Sequence, residues 1–396
     1  MKHRCKTWSV TCTRDRNFSH NAGSPDASRK SFGESGDFTG KSAKRKPLVG
    51  LFGLTTAIAL LQTACFRPAS PEPVLPQYSA TPFSVNAPLG LPAIESPVAN
   101  PLTAEKVALG KQLFFDKNLS ADRSLSCASC HDPERGWSNG QPVAAGVNGT
   151  LGTRNVPTIF NVALNRVQFW DGRATSLERQ ALGPILNPVE MAMPSAEAVL
   201  KRIHENDDYT RMFSAAFPDG VTINNVARSL AAFERTILAG NAPFDRFKAG
   251  DEQALSGAAK RGWEIFQQKG KCIKCHKPPN FTDISYHNIG VGFSGKPPDP
   301  GRYAVTKLKS NFGSFKSPTL RQLTKTAPYM HDGSMATIEE VVDYYDKGGN
   351  PNPQLSSEMK PLRLTKEEKR DLVQFLVEGL SSQEEPATAG NHDSSF

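Results

Sequence analysis

Two cysteine–histidine motifs carry the clearest chemistry in this sequence. Each has two cysteines separated by two residues and followed at once by a histidine: Cys127-Ala-Ser-Cys130-His131 and Cys272-Ile-Lys-Cys275-His276. This pattern is the attachment signature of c-type haem, in which the thiols bond to the porphyrin vinyl groups and the histidine binds the iron. We therefore predict two haem c groups, with His131 and His276 as iron ligands.

Paired cysteines also serve two other chemistries. Two Cys-x-x-Cys pairs could supply the four thiolates of a tetrahedral zinc site, and one pair can act as a thioredoxin-like redox centre. Neither needs a histidine directly after the second cysteine, whereas both motifs here have one. Haem attachment is therefore favoured over a zinc-binding structural protein, which would bind no haem and lack visible absorption.

The positive charge of the chain is concentrated at its N-terminus. The 396 residues have a formal net charge of +8, but residues 1–46 hold 11 Lys/Arg against four Asp/Glu, and residues 66–396 are close to neutral. A nucleic-acid-binding surface is therefore not expected. The basic stretch and the uncharged run 47–64 predict an export signal. Cys65 resembles a lipidation site, so we expect a periplasmic protein anchored at Cys65; an uncleaved anchor or an ordinary signal peptide are the alternatives.

The elements that must position the motifs are helices. Apolar residues at helical spacing predict helices that begin near Thr103 and Ser256, each leading to one motif, and a last helix capped by Thr365. A similar element, Gly-x-x-Leu/Ile-Phe, begins at Gly110 and again at Gly262. We predict a mainly α fold in which two cytochrome c-like haem domains follow each other in tandem.

The predicted organisation has five parts. They are an N-terminal extension with the signal or lipoprotein segment (1–65), a flexible tether (66–100), a first haem domain (101–245), a second haem domain (246–383) and a disordered tail (384–396).

Several further motifs occur in a fixed order along the chain. They are Thr153-Arg154-Asn155-x-Pro157-Thr158, Phe169-Trp170-Asp171-Gly172-Arg173-Ala174, Gly183-Pro184, Asn187-Pro188-Val189-Glu190-Met191 and Ala327-Pro328-Tyr329-x-His331-Asp332-Gly333. With the haem motifs they resemble the bacterial di-haem cytochrome c peroxidase/MauG family over roughly residues 100–382. The resemblance makes the first domain the peroxidatic one and the second the electron-transfer domain.

The resemblance also implies roles for particular residues. It places Glu190 over the open face of the N-terminal haem as the group that moves a proton during peroxide cleavage, with Gln180 nearby. It makes Trp170 a relay between the haems. It further implies a calcium ion held by oxygens of three residues, Asn155, Thr326 and Pro328.

Two departures favour the MauG branch. Peroxidases of the family carry a blocking histidine about sixteen residues after the first haem histidine, and Val147 stands there, so we expect an open N-terminal iron. Where they place a methionine ligand to the second iron, this chain has Tyr345, a hard anionic ligand that would stabilise oxidised iron. The alternative ligands are Met330, Met335 and Met359, and His331 is expected to be structural.

Two enzymatic functions and one non-catalytic function are open at this point. The first is reduction of hydrogen peroxide with electrons from a small cytochrome c or cupredoxin. The second is MauG-like oxidation of residues in a partner protein, but Gly270 occupies the position of the tryptophan that serves that route, and Trp263 is only nearby in sequence. The third is a di-haem electron carrier inert to peroxide. A homodimer is compatible with the sequence, which does not define the oligomeric state.

Overall fold

The protein is mainly helical in the residues described by the computed structural model, which are 78, 80–294 and 297–382. The α-helices are α1 (Ala104–Phe115), α2 (Cys127–Cys130), α3 (Leu177–Leu186), α4 (Ala196–His204), α5 (Asp207–Ala216), α6 (Ile223–Glu234), α7 (Pro243–Lys248), α8 (Gly257–Gln267), α9 (Tyr303–Thr306), α10 (Ile338–Asp346) and α11 (Lys366–Gln374). Short 3₁₀ turns are Lys117–Leu119, Pro133–Arg135, Val147–Gly149, Val162–Leu164, Cys272–Lys274, Lys309–Asn311 and Leu323–Lys325. A π-helical turn, Phe375–Gly379, continues α11. Strands β1 (Tyr286–His287) and β2 (Phe315–Lys316) pair antiparallel.

The three predicted helix starts are confirmed by their capping bonds. The side chain of Thr103 accepts a hydrogen bond from the third residue of α1, and that of Ser256 does the same at α8. Thr365 and Glu368 form a reciprocal capping box at α11. These side chains satisfy backbone N–H groups that have no partner within the helix.

One glycine in each half lets two helices cross in direct contact. A Cβ at Gly110 in α1 would lie 1.9 Å from the Ser229 carbonyl oxygen in α6. A Cβ at Gly262 in α8 would lie 2.0 Å from the Asp371 carbonyl oxygen in α11. Only a residue without a side chain allows backbones to approach so closely, and so the repeated glycine fixes the same crossing twice.

The aromatic residues beside these crossings also correspond. Phe114 packs edge-on against Phe233 with ring centroids 5.3 Å apart, and Phe266 packs edge-on against Phe375 at 5.4 Å. The first pair belongs to a buried apolar cluster drawn from residues 109–239, and the second to one drawn from residues 244–380. Each haem motif therefore lies beside its own core.

The segment 240–255, which spans the predicted boundary between the two haem domains, contains helix α7. Phe244 of this helix is buried in the second core. Asp245 forms a fully buried ion pair with Arg321, whose guanidinium also donates to the Pro279 carbonyl. Removing either partner would leave an unpaired buried charge, which is strongly destabilising. The segment thus carries core contacts of its own.

The described part of the predicted tether is attached to the rest of the chain, and its Phe83 and Val85 pack against a small apolar cluster that includes Val107 of α1 and Ala232 of α6. The backbone N–H of Phe83 donates to the Leu102 carbonyl at 3.1 Å, and that of Asn241 donates to the Leu89 carbonyl at 2.8 Å. The predicted export signal, Cys65 and the tail 384–396 lie outside the described residues. Within the described ranges, no helix is long and apolar enough to cross a membrane.

Candidate functional site

The first haem motif forms a helical turn that ends at its histidine. The backbone N–H of His131 donates to the Cys127 carbonyl at 2.8 Å, which closes the turn of α2. The Nδ1 atom of His131 lies 3.1 Å from the Trp137 carbonyl oxygen. Because a carbonyl can only accept, Nδ1 must carry the proton, and Nε2 keeps the lone pair that an iron ligand needs.

The second motif repeats this arrangement. The backbone N–H of His276 donates to the Cys272 carbonyl at 2.8 Å, and Nδ1 lies 2.9 Å from the Phe281 carbonyl oxygen. Burial lowers the pKa of both His131 and His276, which favours the neutral imidazole. Both histidines are thus held in the tautomer and charge state that bind iron.

A cavity of about 240 Å³ adjoins the second motif, and residues of the motif form part of its wall, as haem attachment there would require. Its lining includes Cys272, Cys275, His276 and Tyr345, and most of its surface is apolar. Within the described residues, the His, Cys, Asp and Glu side chains close enough to share a metal ion are Cys275, Asp283 and His287. The four motif thiols therefore do not converge as a tetrahedral zinc site would require.

Tyr345 points into this cavity, whereas its neighbour Tyr344 does not. The Tyr344 hydroxyl donates to the Ile289 carbonyl at 2.9 Å. The Tyr345 hydroxyl has no hydrogen-bond partner within the described ranges, and burial raises its pKa, as do the nearby Cys272 and Cys275 thiols. The thioethers of Met330 and Met359 also line the cavity, but Met335 does not. Tyr345 as an iron ligand stays a prediction.

Glu190 lines a second, more open cavity. The other lining residues are Phe169, Arg173, Ala174, Arg179, Gly183 and Asn187. Asn187 Nδ2 donates to Glu190 Oε1 at 3.0 Å. Burial raises the pKa of Glu190, against the lowering effects of the Asn187 hydrogen bond and the Arg173 charge. Burial raises the pKa of the Cys130 thiol, and the charge of the Glu190 carboxylate raises it further, so the carboxylate acts electrostatically on the first haem motif.

Val147, in place of a histidine, supports the loop that carries Glu190. Its side chain is buried, and its backbone N–H donates to the Glu190 carbonyl at 2.8 Å. The same loop is fixed from the other side, because Met191 N–H donates to the Pro184 carbonyl at 3.1 Å. At this position the chain therefore offers an apolar side chain that cannot bind iron.

Sequence reasoning assigned no role to Arg173 or Asn187, although both lie in the quoted motifs. The Arg173 guanidinium stacks over the Phe169 ring at 3.5 Å and is paired with Asp171 at 3.0 Å. Gln180, in contrast, is not among the residues that line the Glu190 cavity. The residues of this segment that line the cavity are at positions 179, 183 and 187, four residues apart. Gln180 is one position beyond Arg179, so its side chain points about 100° away from this row around the helix axis. Its role stays a prediction.

Consecutive residues reach the two cavities. Phe169 lines the Glu190 cavity, and Trp170 lines the cavity of the second haem motif. Trp170 Nε1 donates to the Asn155 carbonyl at 2.8 Å, which fixes the indole plane. His331 lies edge-on to Trp170 and stacks on Phe315 with centroids 3.6 Å apart. Burial lowers the pKa of His331 to about 4, so this imidazole is a neutral packing element.

The three predicted calcium ligands all belong to the cavity beside the second haem motif. Asn155, Thr326 and Pro328 all line it. Asn155 Nδ2 donates to the Gln141 carbonyl at 2.9 Å, which orients the amide and leaves Oδ1 as an acceptor. An amide oxygen and backbone carbonyls are the hard ligands that calcium prefers. The arrangement is compatible with a calcium site.

Gly270 leaves no room for a side chain at the position where the MauG branch carries a tryptophan. A Cβ there would lie 2.9 Å from the Ile265 carbonyl oxygen and 3.3 Å from Cys272 Sγ. Trp263 packs in the second core, stacked on Phe266 with centroids 5.6 Å apart. Phe266 lines the haem cavity but Trp263 does not. Trp263 therefore does not replace the missing tryptophan at the cavity wall.

Comparison with known proteins gives a consistent set of relatives. A family model described as di-haem cytochrome c peroxidase matches residues 104–253. The chain is 44% identical over 286 residues to the methylamine utilization protein MauG of Methylorubrum extorquens, which covers 72% of this chain and 80% of that protein. It is 38% identical over 340 residues to the cytochrome-c peroxidase IdrP1 of a Pseudomonas species, covering 77% and 89%. A solved MauG-like protein associated with microbial copper homeostasis has a TM-score of 0.70 at 31% identity, covering 78% and 98%.

Proposed function

Because the chain belongs to the di-haem cytochrome c peroxidase/MauG family of peroxide-acting oxidoreductases, we propose that it reduces hydrogen peroxide to water. The electrons come from a small electron-carrier protein, such as a cytochrome c or a cupredoxin. The observation that carries the proposal is Glu190, a partly buried carboxylate with a raised pKa in a cavity whose lining contains no histidine.

The first motif provides the reaction centre. A haem bound at Cys127 and Cys130 would supply the iron at which peroxide is reduced. Glu190 accepts the proton of the nearer peroxide oxygen and returns it to the departing oxygen, which leaves as water. Asn187 holds the carboxylate in place through its 3.0 Å hydrogen bond. Val147 offers no ligand to such an iron, so the site would accept peroxide without prior reduction of the second haem.

The second motif provides the electron partner. His276 and Tyr345, which line the same cavity, would be the ligands to that iron. Trp170 passes electrons between the two sites, because it lines one cavity and its neighbour Phe169 lines the other. A calcium ion at Asn155 would stiffen this connection, because the Asn155 carbonyl accepts the hydrogen bond of the Trp170 indole. We further propose that the chain forms two haem domains in tandem. We also propose that it lies in the periplasm, attached to the membrane through a lipid on Cys65.

Electron paramagnetic resonance of the oxidised protein tests the open site. We expect one high-spin haem signal that disappears within one equivalent of peroxide, before any reductant is added, and one low-spin signal. Two low-spin signals that peroxide does not change would contradict the proposal and support the non-catalytic electron carrier. In the Val147→His variant, an imidazole in reach of the iron should convert the high-spin signal to low-spin.

A second candidate is peroxide-dependent oxidation of residues in a partner protein. It is favoured by the 44% identity to a protein named MauG and by Tyr345 in the second cavity. It is weakened by Gly270, since the wall of the second cavity has no tryptophan at that position. Protein oxidation would appear as peroxide consumption that needs the partner but no reduced carrier.

A further inference from the structure

Exposed lysines lie at the cavity beside the second haem motif. Lys271 and Lys274 line the cavity and alternate with the thiols of Cys272 and Cys275. Lys360 lines it from the segment between α10 and α11, and Lys277 acts electrostatically on Cys275. All four lysines are exposed. We call this group, Lys271, Lys274, Lys277 and Lys360, the lysine rim.

Two carboxylates only partly offset the rim. Glu358 pairs with Lys274 at 2.5 Å, and the Lys274, Lys271 and Lys360 charges help to lower its pKa. Asp283 is hydrogen-bonded to His287 at 2.8 Å. Four ammonium groups thus face two carboxylates, although residues 66–396 as a whole are close to neutral. The excess of positive charge is a local property of the lysine rim.

Apolar side chains accompany the lysine rim at this cavity. Met359 and Leu362 line it together with Lys271, Lys274 and Lys360. Thioether bonds to Cys272 and Cys275 would hold one edge of the porphyrin at these sulfurs, beside Lys271 and Lys274. An apolar centre within a charged border is the usual form of a transient protein interface, and the charge steers the encounter.

We propose that the lysine rim is the docking surface for an acidic electron-donor protein, one with carboxylates around its own redox centre. The inference rests on the proposed peroxidase function and specifies its partner. Opposite charges raise the association rate and orient the donor toward the second haem. A basic donor would be repelled by the same surface.

The test uses the complete di-haem protein with two reduced probes, a small cytochrome c of acidic pI and one of basic pI. Their oxidation by peroxide is followed at low and at high salt. We expect the acidic probe to have the higher kcat/KM at low salt, with an advantage that declines as salt screens the charges. A higher kcat/KM for the basic probe, or equal values for both, would overturn the proposal.

The triple variant Lys271→Gln, Lys274→Gln and Lys277→Gln localises the effect. With the acidic probe, we expect kcat/KM to fall by about tenfold at low salt, mainly through KM. The matched control is a triple glutamine variant of exposed lysines in the N-terminal half, Lys111, Lys117 and Lys201, which changes the net charge equally. Equal losses in both variants would show a general charge effect and would refute docking at the rim.

Hydroquinone, a small uncharged reductant, separates this inference from the proposed function. Peroxide turnover with hydroquinone in the unmodified protein tests the peroxidase reaction without docking. If hydroquinone supports turnover and the rim variant has the same kcat/KM for the acidic probe as the unmodified protein, only the docking inference fails. If peroxide is not turned over with any reductant, the proposed function fails.

Discussion

Replacing Glu190 by glutamine tests the proton transfer on which the proposed function depends. The amide keeps the size of the side chain and can still bond to Asn187, but it cannot accept a proton from peroxide. The remaining polar side chains of the cavity are Arg173, Arg179 and Asn187. Guanidinium groups stay protonated and an amide is not a base, so no other side chain in the cavity can take over.

The expected loss of rate in Glu190→Gln follows from the lack of a second base in the cavity. A positioned acid–base group contributes about 10²–10⁴-fold to a rate. With no second base in the cavity, we expect the second-order rate constant for peroxide to fall by at least about a hundredfold, which corresponds to about 3 kcal/mol in the activation barrier.

Stopped-flow absorbance of the oxidised protein with excess peroxide measures this constant directly. Glu264→Gln is the matched control, because Glu264 is an exposed carboxylate on α8. Both variants should retain full haem content and the same spectrum before mixing. If Glu190→Gln reacted within about threefold of the unmodified protein, Glu190 could not be the main proton carrier.

The pH dependence gives an independent check on the same residue. Only the ionised carboxylate accepts a proton, so the rate should fall as the pH drops through the pKa of Glu190. Burial raises this pKa, which moves the acid limb above that of an exposed glutamate. The Asn187 hydrogen bond lowers the pKa, so Asn187→Ala should shift the limb to still higher pH. An unchanged limb in this variant would contradict the assignment.

Three further changes test other parts of the structure. Tyr345→Phe should alter the spectrum of the C-terminal haem alone, and an unchanged spectrum would remove the ligand assignment. The control Tyr344→Phe should leave both haem spectra unchanged. It should lower the free energy of unfolding by about 1 kcal/mol, because the hydrogen bond of the Tyr344 hydroxyl is lost. Gly262→Ala should lower the free energy of unfolding by about 1–3 kcal/mol, because the added methyl group would overlap a backbone carbonyl of α11. The control Gly257→Ala, at the open start of α8, should not destabilise the protein. Thermal unfolding of the two variants measures the difference. Trp170→Phe should slow electron exchange between the haems without changing the high-spin signal, and an unchanged exchange rate would exclude the relay.

Local patterns in the sequence predicted much of the fold and both haem motifs. The caps at Thr103, Ser256 and Thr365 define helix starts because each satisfies backbone groups within one turn. Helix α7 was not anticipated, because its stability depends on Phe244 entering a core formed by distant residues and on the pair between Asp245 and Arg321. Such contacts leave no periodic signal in a six-residue helix.

The candidate site was predictable in its residue types but less so in its geometry. Glu190 and Trp170 were identified through motifs, and the structure brings each to a cavity wall. The support that Asn187 gives to Glu190 arises across a turn, where helical or strand periodicity does not apply. The position of Gln180 depends on the rotation of α3 about its axis, which proximity in sequence to Gly183 does not reveal.

The hydrogen bond from the Trp170 indole to the Asn155 carbonyl also bears on how charge can cross the protein. An indole that loses an electron becomes a strong acid, but a backbone carbonyl is too weak a base to take its proton. Trp170 would therefore remain a radical cation while it is oxidised, and its proton would not move. Charge transfer through this residue would then show neither a solvent deuterium isotope effect nor a titration of its own, which would distinguish it from the proton transfer proposed at Glu190.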